Sequence, residues 1–129
     1  MKKTLFLFAI VIAAIVGCIP CHPPTGGQCN NAITIDTIYT TNVVVGQSAM
    51  LNVRWNDRIN TSWDVTVYNP DGTIFAERIN TINRASEFPG ILVNTEYRLK
   101  IIGRQDTICP PPYNKAFKIA EQGDVQGPF

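Results

Sequence analysis

Ser48-Ala49-Met50-Leu51-Asn52-Val53-Arg54-Trp55-Asn56 decides the fold. Ala49, Leu51, Val53 and Trp55 alternate with Met50, Asn52 and Arg54. An extended chain therefore places its apolar side chains on one face and its polar ones on the other. Helical spacing, with apolar residues three or four apart, is absent. Trp63, Val65 and Val67 repeat the alternation against Asp64, Thr66 and Tyr68, and Tyr97, Leu99 and Ile101 repeat it against Arg98 and Lys100. Residues 33–40 and 115–120 read as the first and last strands. Asn69-Pro70-Asp71-Gly72 separates two runs as a hairpin turn, with Pro70 fixing φ and Gly72 free to take positive φ. Residues 79–88 alternate poorly, so the fourth and fifth strands are not placed. No internal repeat or low-complexity segment interrupts the chain.

About seven short strands with frequent turn signals predict an all-β, antiparallel sandwich. The Leu51-x-Val53-x-Trp55 and Trp63-x-Val65-x-Val67 runs look like the second and third strands of an immunoglobulin-like or fibronectin type III-like domain. Asn94-Thr95-Glu96-Tyr97-Arg98-Leu99-Lys100-Ile101 looks like the sixth, with Tyr97 at the tyrosine-corner position. The resemblance covers roughly residues 30–121. It departs from the antibody pattern, because no cysteine lies on the second or sixth strand. It implies a fold and no particular activity. Trp55 and Trp63 are expected in the core. Met50, Tyr68 and Tyr113 are read as outer-face or loop residues, solitary or available to a partner.

Ahead of the sandwich, Met1-Lys2-Lys3 is followed by an apolar run from Leu5 to Val16 and then Gly17-Cys18. Two lysines and an apolar run too short to span a bilayer form a signal peptide. Ile15-Val16-Gly17-Cys18 resembles the bacterial lipobox. That resemblance implies cleavage before Cys18 and lipidation of its sulfur and new amino group. The lipid would be the membrane attachment, since stable anchoring takes more than one acyl chain. It also implies a bacterial cell-envelope location. Ile19, where an aspartate would favour inner-membrane retention, points to the outer membrane in a Gram-negative host. Four segments result: a signal peptide over 1–17, a lipidated tether over 18–32 rich in Pro20, Pro23, Pro24, Gly26 and Gly27, the sandwich over 33–121, and a tail over 122–129.

Loss of Lys2 and Lys3 takes the formal charge from +1 to −1. Such a near-neutral chain has no field to attract nucleic acid or an anionic bilayer, and its arginines are scattered rather than clustered. Export places the remaining cysteines in an oxidising compartment. In the sandwich the chain resembles, the start of the first strand lies at the end holding the connection between the sixth and seventh strands. Cys29 just precedes the former and Cys109 lies in the latter, so the resemblance implies a Cys29–Cys109 disulfide. Cys21–Cys109 is the alternative pairing, and reduced thiols are the third possibility.

Cys18-Ile19-Pro20-Cys21-His22 also matches the C-x-x-C-H attachment motif of c-type haem. Cys18 and Cys21 would bond the haem and His22 would ligate iron, with Met50 among the few sixth ligands. Lipid on Cys18 would remove one of those thiols, so no cofactor is expected. His22 is the only histidine, which leaves no Ser-His-Asp or Cys-His arrangement in the domain. A carboxylate-based hydrolase is the rival enzyme reading, with Asp57, Asp64 and Asp71 near the loops. Calcium on Asp57 and Asp71 lacks the usual loop pattern. Asn60-Thr61-Ser62 is a formal glycosylation sequon. Pro110-Pro111-Pro112 would guard the edge of the last strand. The expectation is a non-catalytic, lipid-anchored envelope module whose partner is an unidentified protein or glycan.

Overall fold

A computed structural model describes Cys29 and residues 31–129. The lipobox, Cys18, Cys21 and His22 lie outside the described residues. Eight strands follow one another: β1 (Thr34–Val44), β2 (Ser48–Asn56), β3 (Trp63–Tyr68), β4 (Ile74–Thr81), β5 (Ala85–Leu92), β6 (Glu96–Gly103), β7 (Tyr113–Ile119) and β8 (Val125–Gln126). They form two antiparallel sheets, β1-β2-β5 and β4-β3-β6-β7-β8. The fold is an all-β sandwich.

The core is where strict alternation put it. Leu51, Val53 and Trp55 of β2, with Phe88 and Ile91 of β5, are buried in one cluster with Val65, Val67, Leu99, Ile101 and Phe117 of the other sheet. Tyr97 stacks on Phe117 at 5.8 Å and meets Phe75 edge-on at 5.4 Å. Its hydroxyl accepts the Leu92 amide at 3.2 Å, tying the start of β6 to the end of β5. Full burial of each large apolar side chain contributes about 1.5–3 kcal/mol.

Where the sequence reading faltered, the backbone is irregular. β1 continues past residue 40 through a register shift between Thr41 and Val44, with Asn42 at φ 51°. β4 shifts register between Trp63 and Val65 and carries Asn80 at φ 55°. β5 contains Pro89 and a Gly90 at φ 76°, beside a shift between Ala49 and Leu51. Each bulge inserts a residue and breaks the period of two. β4 and β5 are also edge strands, where proline and bulges are tolerated and block pairing with other chains.

Two expectations are corrected. Tyr113 is not an exposed contact residue. It is 7% exposed, because it pairs with Ile101 and shares the parity of Phe117 and Ile119. The edge of β7 is covered by β8, through Lys118–Gln126 and Ile119–Val125, rather than guarded by Pro110–Pro112 alone. β8 lies within the stretch read as a tail.

The sandwich has two poles. One holds the start of β1 and the connections 57–62, 82–84 and 104–112. The far pole holds the connections 45–47, 69–73, 93–95 and 120–124.

Candidate functional site

The chemistry-bearing residues collect at the first pole. Cys29 and Cys109 are disulfide-bonded, with Cα atoms 5.4 Å apart and 80 residues between them in sequence. Antiparallel pairing of β1 with β2 brings Cys29 to this end, where the β6–β7 connection also returns. With Cys109 bonded to Cys29, the alternative Cys21–Cys109 pairing does not form. Closing so long a loop restricts the unfolded chain by about 4 kcal/mol in the chain-entropy view.

Beside the disulfide lies a buried polar network. The Asp57 carboxylate accepts the Ile59 amide at 2.8 Å and the Asn60 amide at 3.3 Å. It also accepts the Asn60 side-chain amide at 2.7 Å and the Trp63 indole N–H at 2.8 Å. Burial pushes the Asp57 pKa up, but these donors, the Trp63 indole foremost, outweigh it and hold the carboxyl below the ordinary aspartate value. Asn60 Oδ1 in turn accepts the amides of Gln105 at 3.0 Å and Asp106 at 2.8 Å. Gln105 Oε1 accepts the amides of Thr61 and Ser62, and its Nε2 donates to Ser62 Oγ. The connections 57–62 and 104–112 are thus bolted together by side chains. Gly103 is required by this contact, since a Cβ there would overlap the Asn60 amide. The sequon asparagine is 5% exposed, with its side-chain nitrogen bonded to Asp57 and its oxygen to the Gln105 and Asp106 amides.

The three acids considered for catalysis or calcium do not share a site. Asp57 is turned inward onto Trp63. Asp64 accepts both the Asn80 amide and the Arg104 guanidinium, each within 3 Å. Burial raises its pKa, but these two partners lower it by more, so the net shift is down. Asp71 lies at the far end of β3, where Thr73 donates to it from hydroxyl and amide and lowers its pKa. Asp57 and Asp71 therefore cannot hold one cation between them. Among the described residues, no three His, Cys, Asp or Glu side chains converge as metal ligands. Met50 is half-buried in the half of β2 nearer the far pole.

Trp55 and Trp63 are both core residues, in edge-to-face contact at 5.8 Å. Their polar atoms differ. Trp63 Nε1 donates to Asp57, whereas Trp55 Nε1 has no hydrogen-bond partner among the described residues.

An open concavity of about 1660 Å³ runs over β1, β2, β4 and β5. Tyr39, Arg54, Glu77, Arg78, Arg84 and Glu87 line it. Small-molecule pockets are usually smaller, roughly 300–1,000 Å³, enclosed and mainly apolar. This one is a mixed-charge trough of a shape suited to a chain or a surface. Arg78 bridges the two sheets inside it: its guanidinium lies 5.1 Å from the Phe88 ring and donates to the Glu87 carbonyl at 3.0 Å.

Sequence reasoning missed the network for a physical reason. Asp57 followed by Asn60 offers a local turn signal, because aspartate bonds amides two residues on. Asn60 and Gln105 lie far apart in the chain, and only the sheet register brings them together. Neither a family model, nor a curated protein, nor a solved structure significantly matches this chain.

Proposed function

We propose that this chain is a lipid-anchored module of the bacterial cell envelope, built on an immunoglobulin-like or fibronectin type III-like sandwich and acting by contact rather than catalysis. The observation that carries the reading is the Cys29–Cys109 disulfide. Such a bond belongs in an oxidising compartment, where the signal peptide would deliver the chain, and it leaves Cys18 free for lipid. The strand order and the Tyr97 hydroxyl bond to Leu92 support the immunoglobulin-like assignment. Non-catalysis is supported by the engagement of Asp57, Asp64 and Asp71 in structural bonds. The mixed-charge trough is the surface best suited to a protein or glycan partner.

Intact mass of the protein extracted from its native membrane, with and without reductant, tests the proposal. The expected product begins at Cys18, carries three acyl chains and gains two mass units on reduction of one disulfide. A mass increment of one haem with Soret absorbance would make Cys18, Cys21 and His22 a haem site instead. An unmodified chain would remove the anchor from the account.

A further inference from the structure

Each of the three connections at the disulfide pole exposes an isoleucine. Ile59 is 43% exposed, Ile82 74% and Ile108 70%. Two of the three are held outward by ordered backbone. Asp57 accepts the Ile59 amide at 2.8 Å, and Asp106 accepts those of Ile108 and Cys109 at 3.0 and 2.9 Å. The Asn60 bonds to Gln105 and Asp106 lock the two loops to each other. Ile59 and Ile108 are therefore displayed on a fixed surface, and Ile82 is exposed at the same pole.

Charge separates this pole from the other. Its connections carry Arg58 and Arg84, which have no carboxylate partner among the described residues, and Arg104, which is paired with Asp64; Asp57 and Asp106 are the acids of the same connections. Both aspartates are turned onto neighbouring amides. The far pole also exposes Val44, Val45 and Leu92, but its connections carry Asp71, Glu121 and Asp124 with no lysine or arginine. The first pole is thus close to charge balance and offers two arginines without carboxylate partners, whereas the far pole is acidic, so an anionic surface favours the first pole over the second.

The chain's own attachment points the same way. The disulfide fixes Cys29 to the first pole, and residues 18–28 reach at most roughly 40 Å even when fully extended. A lipid on Cys18 would therefore attach the domain to the bilayer through this pole, with the far pole roughly 30 Å away along β2.

We propose that the disulfide pole seats on the phospholipid surface, with Ile59, Ile82 and Ile108 entering the boundary between headgroups and acyl chains and Arg58 and Arg84 meeting lipid phosphates. The inference rests on the lipid-anchored reading of Cys18. It leaves the trough facing sideways and the acidic pole facing away from the membrane.

The test uses the mature lipidated protein in vesicles of phosphatidylethanolamine and phosphatidylglycerol containing brominated lipid. Ile108→Trp and Ile82→Trp variants report on the disulfide pole and a Val45→Trp variant on the far pole. All three positions are exposed, and the native tryptophans supply a background measured in the unsubstituted protein. Bromolipid quenching at positions 82 and 108 at least twofold greater than at 45 is expected. Protein that floats with the vesicles yet shows equal or no quenching at 82, 108 and 45 overturns the seating while leaving the anchor intact. Protein that does not float and shows an unmodified Cys18 mass overturns the anchor, and the seating with it.

Discussion

At the far pole, backbone bonds close every connection, with side chains such as Asp71 and Thr73 adding to them; at the disulfide pole, side chains carry most of the closure. Gln47 donates to the Val44 carbonyl, Gly72 to Asn69, Val93 to Gln47, Asn94 to Ile119 and Gly123 to Ala120, all through main-chain groups. These connections are short, and Gly46, Gly72 and Gly123 supply the positive φ they need. At the disulfide pole the longer connections 57–62 and 104–112 depend on Asp57, Asn60, Gln105, Asp106 and the Cys29–Cys109 bond. Short turns satisfy their own polar groups, whereas long connections must borrow partners from elsewhere in the chain. The first arrangement tolerates side-chain change and the second does not.

The largest asymmetry is expected from the disulfide. A Cys109→Ser variant is predicted to lose about 4 kcal/mol of stability, measured by urea unfolding, because the unfolded chain regains its loop entropy. Next comes Asp57→Ala, which strands the Trp63 and Asn60 donors and costs on the order of 3 kcal/mol in the same measurement. Its pH signature has a definite sign. The folded carboxyl is held below the ordinary aspartate value, so its contribution is full above about pH 4 and is lost as pH falls through the lowered value. Unfolding of the variant should be flatter than that of the native protein below pH 4.

Gly103→Ala ranks third. The added methyl must displace Asn60, at about 2 kcal/mol. The two tryptophans sharpen the comparison within the core. Trp63→Phe removes a bond to a charged, buried carboxylate and Trp55→Phe removes none, so Trp63→Phe is expected to cost more by about 1.5 kcal/mol in paired thermal melts. The smallest effect belongs to the far pole. Asp71→Ala opens one exposed turn, and its unfolding midpoint should move less than that of any variant above. A larger shift there than for Gly103→Ala would break the distinction between the poles.

The same distinction governs what was legible in the sequence. β2 and β3 follow from alternation with the observed bounds, because regular strands buried on one face print a period of two. The Asn69–Thr73 turn follows from Pro70 and Gly72, since its determinants are local. β4 and β5 were not placed, because Asn80, Pro89 and Gly90 disrupt the period where the edges are bulged. The pairing of Cys29 with Cys109 was reachable only through the topology of the resembled fold. The Asp57–Asn60–Gln105 network left one legible trace, an aspartate ahead of an asparagine in a loop. Its other half came from a connection more than forty residues away.

Hydrogen–deuterium exchange of the mature protein, before and after reduction of the disulfide, tests the two-pole account most directly. Reduction is predicted to speed exchange of the Asn60, Gln105, Asp106, Ile108 and Cys109 amides, while those of Gly72, Val93 and Asn94 keep their protection. Equal acceleration at both poles, or none at the disulfide pole, would contradict it.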